Sequence, residues 1–222
     1  MSEVVESPHF QMSMRTPETV YQLKISLDNT RPPIWRRILI PANATFRDLH
    51  ETIQLSFGWS DCHLHDFQVG NRLVRQPRSI TDISFEDVEP WWDNDEKSDE
   101  KRVKLCDVFQ STGDGCKYWY DFGDDWWHSI VLEKILPAVE GIDYPICIKG
   151  KRACPPDDCG GPWGYADLCS ILAKPSHPDH EEKLEWLGLN NASEFDPEDF
   201  DVDATNELLR DGYETLATFA TK

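Results

Sequence analysis

The chain has 222 residues, 39% hydrophobic, with nine tryptophans, enough to bury one substantial core and too apolar for a disordered polymer. Its formal net charge is −19, of which residues 82–100 supply −8 and residues 176–222 supply −10, so the remainder is nearly neutral. Carboxylates at this density repel phosphates, and no stretch approaches the roughly 20 apolar residues that span a bilayer, so neither direct nucleic-acid binding nor a membrane protein is expected.

Residues 1–19 are polar without an apolar leader, which predicts a flexible lead and a cytoplasmic chain whose seven cysteines are reduced thiols. The core domain is expected over 20–175. Tyr21, Leu23, Ile25 and Leu27 alternate with polar neighbours, the period of a half-buried strand. A turn over 29–33 leads to a second strand over 34–40, with Arg36 falling on its apolar face. Thr45 and Asp48 form a short capping box for a helix with the stripe Phe46, Leu49, Ile53 and Phe57, and Gly58 is placed to stop it. Strands over 66–69 and 72–74 flank a tight turn at Gly70-Asn71. Residues 82–104, with Trp91 and Trp92, form an acidic insertion.

Tyr118, Tyr120 and Phe122 then alternate with Trp119 and Asp121, Gly123-Asp124-Asp125 breaks the run, and residues 126–135 resume it. This is a β-hairpin whose turn gathers Asp121, Asp124, Asp125 and His128 at one end of a sheet. A short strand over 144–148 and a Cys/Pro/Asp/Gly loop over 149–161 follow. Helices are predicted along Tyr165, Leu168 and Leu172, over 180–187, and from two starts at Asp196-Pro197 and Asp201. Residues 176–222 carry Leu184, Trp186, Leu208 and Leu209 among their acids, the pattern of short helices docked on the core rather than of a tail. The fold class is α+β: a β-grasp-like or split mixed sheet, with a ββαβ start plus the aromatic hairpin and C-terminal helices packed on it.

Three segments in order carry a family resemblance. They are Pro33-Ile34-Trp35-Arg36-Arg37 with residues 45–59 and 63–67; Tyr120-Asp121-Phe122-Gly123-Asp124 with Trp126 and His128; and Cys154-Pro155-Pro156-Asp157-Asp158-Cys159-Gly160-Gly161. Over roughly residues 20–210 the chain resembles the plasmid pRiA4b ORF-3-like family, also labelled as passenger "TnpR" proteins of mobile elements. The resemblance implies an α+β domain found on plasmids, insertion elements and prokaryotic chromosomes, and brings no reaction or catalytic set with it. A resolvase needs a nucleophilic serine among arginines, and Ser56, Ser60, Ser79 and Ser111 stand in no such cluster.

Two constellations have more than one reading each. Cys154 and Cys159 have a spacing used by structural zinc sites, with His63 and His65 as a second pair; the alternatives are a Pro155-Pro156 and Gly160-Gly161 turn with packed thiols, the favoured reading, and a disulfide. Asp121, Asp124, Asp125 and His128, with His63 or His65, can hold a hard cation; the favoured alternative is that Asp124 and Asp125 hold turn amides, Asp121 pairs with an arginine and His128 packs in the core. No phosphate loop, dinucleotide motif, nucleophile elbow or EF-hand is complete. Trp91, Trp92, Trp126, Trp127 and Trp163 exceed what the core needs; either some line a groove or the two acidic segments fold over them. The expected function is therefore a non-enzymatic binding or adaptor module associated with mobile elements, for a protein or small-molecule partner. Its expected contact face combines Asp121, Asp124, Trp126, His128, His63, His65 and Trp163. No cofactor is predicted, and zinc or another divalent metal is the ion these clusters would take. The alternatives are a metal-dependent hydrolase and an acidic DNA mimic or partner-recruiting protein.

Overall fold

The computed structural model describes residues 18–70, 72–75 and 96–220. Most of the lead, and the acidic insertion up to residue 95 with Trp91 and Trp92, lie outside the described residues. Eight strands form one sheet: β1 (Thr19–Leu27), β2 (Trp35–Pro41), β3 (His65–Val69), β4 (Arg72–Arg75), β5 (Glu96–Asp99), β6 (Gly115–Tyr120), β7 (Trp126–Pro137) and β8 (Ile146–Lys151). Their order is β5-β4-β3-β6-β7-β1-β2-β8, parallel only at the β4–β5 edge and antiparallel elsewhere. The chain is an α+β fold. That order does not itself establish a β-grasp relation, because the central β1–β7 pair is antiparallel.

Helix α1 (Phe46–Phe57) forms for the reasons its sequence gives. The Thr45 hydroxyl accepts from the Asp48 amide while Asp48 accepts from the Thr45 amide, and Gly58 closes the helix at φ 87°. Its apolar stripe packs on the inward residues of the sheet, with Leu23, Ile25, Ile38, Phe67 and Tyr118 in one core. A short helix α2 (Leu105–Val108) follows β5, then α3 (Gly161–Leu172), α4 (His180–Leu187), a 3-10 turn (Ala192–Glu194) and α5 (Val202–Ala220). Leu168, Leu172 and Leu184 join α3 to α4 in a second small core. Trp186 and Leu208 stay about half exposed, at 47% and 52%, while Leu184 and Leu209 are buried.

Several details differ from the sequence reading. The strand expected over 144–148 runs over Ile146–Lys151. Asp196-Pro197 starts no helix: Asp196 holds the Glu198 amide in a turn, and α5 begins after Asp201, which accepts from the amides of Asp203 and Ala204. That extended link lets the Phe200 ring reach Gly150, where even a methyl group would lie 2.5 Å from it. Arg36 is buried on the inward face of β2 between the rings of Phe57 and Phe200, at 4.9 and 4.3 Å. Its guanidinium donates to the carbonyls of Ser56, Trp35 and Lys151, so the charge is hydrogen-bonded and stacked.

On the outer edge of β8, the Asn206 side chain of α5 both accepts from the Cys147 amide, at 2.7 Å, and donates to the Cys147 carbonyl, at 2.9 Å. No helix among the described residues is long and apolar enough to cross a membrane.

Candidate functional site

The β6–β7 hairpin divides its aromatic residues between the two faces of the sheet. Tyr118 pairs with His128 and Tyr120 with Trp126, and all four point into the core. Trp119 and Trp127 stack at 4.9 Å across the opposite face. His128 lies among Phe57, Trp59 and Tyr118 at 5.2 Å from each ring, and its two nitrogens have no hydrogen-bond partner of good geometry. Burial lowers its pKa to about 3, so the ring is neutral. Trp126 is 1% exposed. Neither residue can form part of a contact face. Both side chains are enclosed in the core.

The turn carboxylates are engaged one by one. Asp121, at φ 53°, accepts from the Gly123 amide through Oδ1 at 2.9 Å; Asp125 accepts from the Trp127 indole at 2.7 Å; Asp124 accepts from the Gly160 amide at 2.9 Å. This last bond staples the hairpin turn to the loop before α3. Gly161 completes the staple. It sits at φ 69°, and a Cβ there would lie 2.2 Å from the Asp124 carbonyl oxygen. Gly161→Ala should cost several kcal/mol, as left-handed strain of about 1–2 kcal/mol is joined by a backbone clash. Gly188→Ala, at φ 67° with open space around it, should cost only the strain. Thermal unfolding of the two variants measures the difference.

The segment after α1 reaches the same place. The Trp59 indole donates to the Pro155 carbonyl at 3.0 Å, and Ser60 donates to Asp157 Oδ2 at 2.7 Å. His63 Nε2 then faces Asp121 Oδ2 at 3.6 Å and Asp158 Oδ1 at 3.4 Å. Cys62, His63 and Asp157 make a second trio of ligand-type atoms within 4.8 Å. The three resemblance segments thus meet at one end of the sheet. Of the expected site residues, His63 and Asp121 come together, and Asp124 braces the loop behind them.

His65 goes elsewhere, because β3 begins at that residue and His63 remains in the preceding loop. All seven cysteines are free. Cys154 and Cys159 join no cluster of three ligand-type residues among the described residues. Burial raises both thiols, Cys159 to about 12, so they are packed and protonated. Their spacing with His63 and His65 suggests four ligands, and among the described residues the four are not brought together.

A buried polar network under α1 was not anticipated. The Asp61 amide donates to Gln54 Oε1 at 3.1 Å, Gln54 Nε2 donates to the Tyr118 hydroxyl at 2.9 Å, and that hydroxyl donates to His50 Nδ1 at 2.8 Å. The proton on His50 Nε2 returns to Asp61 Oδ1 at 2.8 Å, closing the ring. Burial lowers His50 to about 4, in keeping with this neutral tautomer. The His65 ring stacks on His50 at 3.6 Å and bonds Glu100 at 2.7 Å, and Arg47 extends toward Asp61 and Glu100. His50, Asp61 and His65 lie close enough to resemble a metal site. The contacts of His50 with Asp61 and of His65 with Glu100, at 2.8 and 2.7 Å, are hydrogen-bond distances. One signal was present in the sequence: His50 stands four residues after Phe46 and three before Ile53, on the apolar stripe.

Trp163 is the opposite of Trp126, 82% exposed in the first turn of α3. It borders a groove of about 750 Å³, whose walls include Pro32, Ile34, Tyr165 and Pro197, with Arg152 paired to Glu198 at one side.

The chain is similar to known proteins over most of its length. The chain is 37% identical over 194 residues to "Uncharacterized protein y4hQ" of Sinorhizobium fredii, a match covering 87% of this chain and 92% of that one. A crystal structure of a protein of unknown function, MM3350 from Methanosarcina mazei Go1, is similar at 39% identity and a TM-score of 0.72, covering 85% of this chain and 97% of that one. The family model for the plasmid pRiA4b ORF-3-like protein matches residues 19–204, a span that includes all three of the segments meeting at the sheet end. The chain belongs to the plasmid pRiA4b ORF-3-like family.

Proposed function

We propose that the protein is a binding module that recognises an extended, apolar-rich segment of a partner protein in the groove beside Trp163. One observation carries the reading: a tryptophan held 82% in solvent at the rim of a groove of about 750 Å³. A large aromatic left in water beside a concave wall gains by being covered, and tryptophans so placed dominate interface energetics. The prolines and Tyr165 give flat apolar walls, while Asn29 offers a polar side chain to a peptide backbone. An open groove with its aromatic on the rim suits an extended chain better than a small molecule, which needs enclosure.

The test is selection from a displayed peptide library on the full chain, followed by affinity measurement on Trp163→Ala. Selected peptides should lose at least about tenfold in affinity, the effect of a hot-spot residue, while the variant unfolds at the wild-type temperature. Peptides that bind both proteins equally, or a selection that yields no binder, would overturn the reading.

A further inference from the structure

We propose that His63, Asp121 and Asp158 form a site for a divalent metal ion of the zinc class, with Cys62 and Asp157 beside it. The argument begins with spacing. Two ligands each about 2.0–2.1 Å from a tetrahedral ion stand about 3.3–3.4 Å apart. His63 Nε2 lies 3.4 Å from Asp158 Oδ1 and 3.6 Å from Asp121 Oδ2. The other two histidine–carboxylate contacts of this end of the fold, His50 with Asp61 and His65 with Glu100, close to 2.8 and 2.7 Å. Those are hydrogen bonds. The His63 contacts are longer, near the separation of two ligands on one ion, and the three ligand atoms lie within 4.8 Å of one another.

Unmet polar atoms point the same way. His63 Nε2 is shielded from solvent and has no hydrogen-bond partner. The Tyr120 side chain is fully buried beside His63, and its hydroxyl, facing Cys62 and Asp157, also lacks a partner of good geometry. An ion with its bound water supplies what these atoms are missing. Among the described residues no lysine or arginine forms an ion pair with Asp121, Asp157 or Asp158, and the polar group facing Asp121 and Asp158 is the imidazole of His63.

Asp121, and Asp157 beside the site, are oriented as metal ligands usually are. Asp121 is held through Oδ1 by the Gly123 amide and presents Oδ2; Asp157 is held through Oδ2 by Ser60. One imidazole and two carboxylates, with a thiol nearby, favour zinc over magnesium or calcium, and three protein ligands leave a position for water. The ion would tie the post-α1 segment, the hairpin turn and the loop before α3 together.

The experiment uses the full chain, stripped with chelator and titrated with zinc chloride by calorimetry, then with cobalt chloride by visible absorption. One ion per chain is expected, bound at micromolar or tighter concentration, with an upward thermal shift. Affinity should fall at least tenfold in His63→Ala and in Asp158→Asn; Asp158 is mostly exposed, so the latter variant keeps its fold. Tetrahedral cobalt bands that vanish in Asp158→Asn would support the site, and a thiolate-to-cobalt band lost in Cys62→Ser would add Cys62 to the ligands. Absence of binding by the stripped protein overturns the proposal. So does binding that survives both variants, or binding that is lost in Cys154→Ser and retained in Asp158→Asn.

Discussion

Lowering the pH from about 7 to about 4.5 is expected to remove about 5 kcal/mol of folding stability, at least a third of the roughly 5–15 kcal/mol typical of folded proteins. The cause is two histidines that the core keeps neutral. Burial holds His128 at about 3 and His50 at about 4, whereas both titrate near 6.5 in the unfolded chain. As pH falls through 6.5 the unfolded state takes up two protons and the native state takes up none until near 4. Stability is therefore complete above about pH 7.5 and declines by about 2.7 kcal/mol per pH unit between about 6 and 4.5. Urea unfolding midpoints across this range give the slope directly. His128→Phe should reduce the linkage by one proton. A slope that is unchanged in that variant would show that His128 does not carry it.

Truncating two tryptophans should give opposite results. Trp126→Ala is expected to destabilise the protein by about 3–5 kcal/mol, because it empties a wholly buried site between Trp59 and the strands beside it. Trp163→Ala is expected to change stability by less than about 0.5 kcal/mol, since its ring rests in solvent. Denaturant titration separates the two. Trp126→Ala is consequently a probe of folding, and any loss of binding it caused would report unfolding. A Trp163→Ala protein that lost several kcal/mol would mean that this side chain packs on the fold.

Local structure was legible wherever the signal was local. The α1 cap, its stripe and its glycine stop were all present in residues 45–58, and the alternation of β1 and of the hairpin gave their inward faces. What the sequence concealed was anything decided across the fold. His63 and His65 share parity, which on a strand would mean one face, but β3 starts between them and sends them to Asp121 and Glu100 respectively. Glu96–Asp99 has no apolar alternation and becomes β5 only by pairing with β4, which brings the fully buried Glu100 to His65. Asp158 was visible only as part of a Pro/Asp/Gly loop. Its role beside His63 arises because Asp124 and Gly161 fix that loop against the hairpin turn.

The amide of Asn206 against β8 bears on how copies of this chain behave toward one another. An edge strand with free amides and carbonyls is a template on which a second sheet can grow. By supplying one acceptor and one donor to Cys147, the side chain on α5 stands in for a residue of a ninth strand and then ends the series. The last helix thus acts as a selvedge: it finishes the sheet where further weaving would join one molecule to the next.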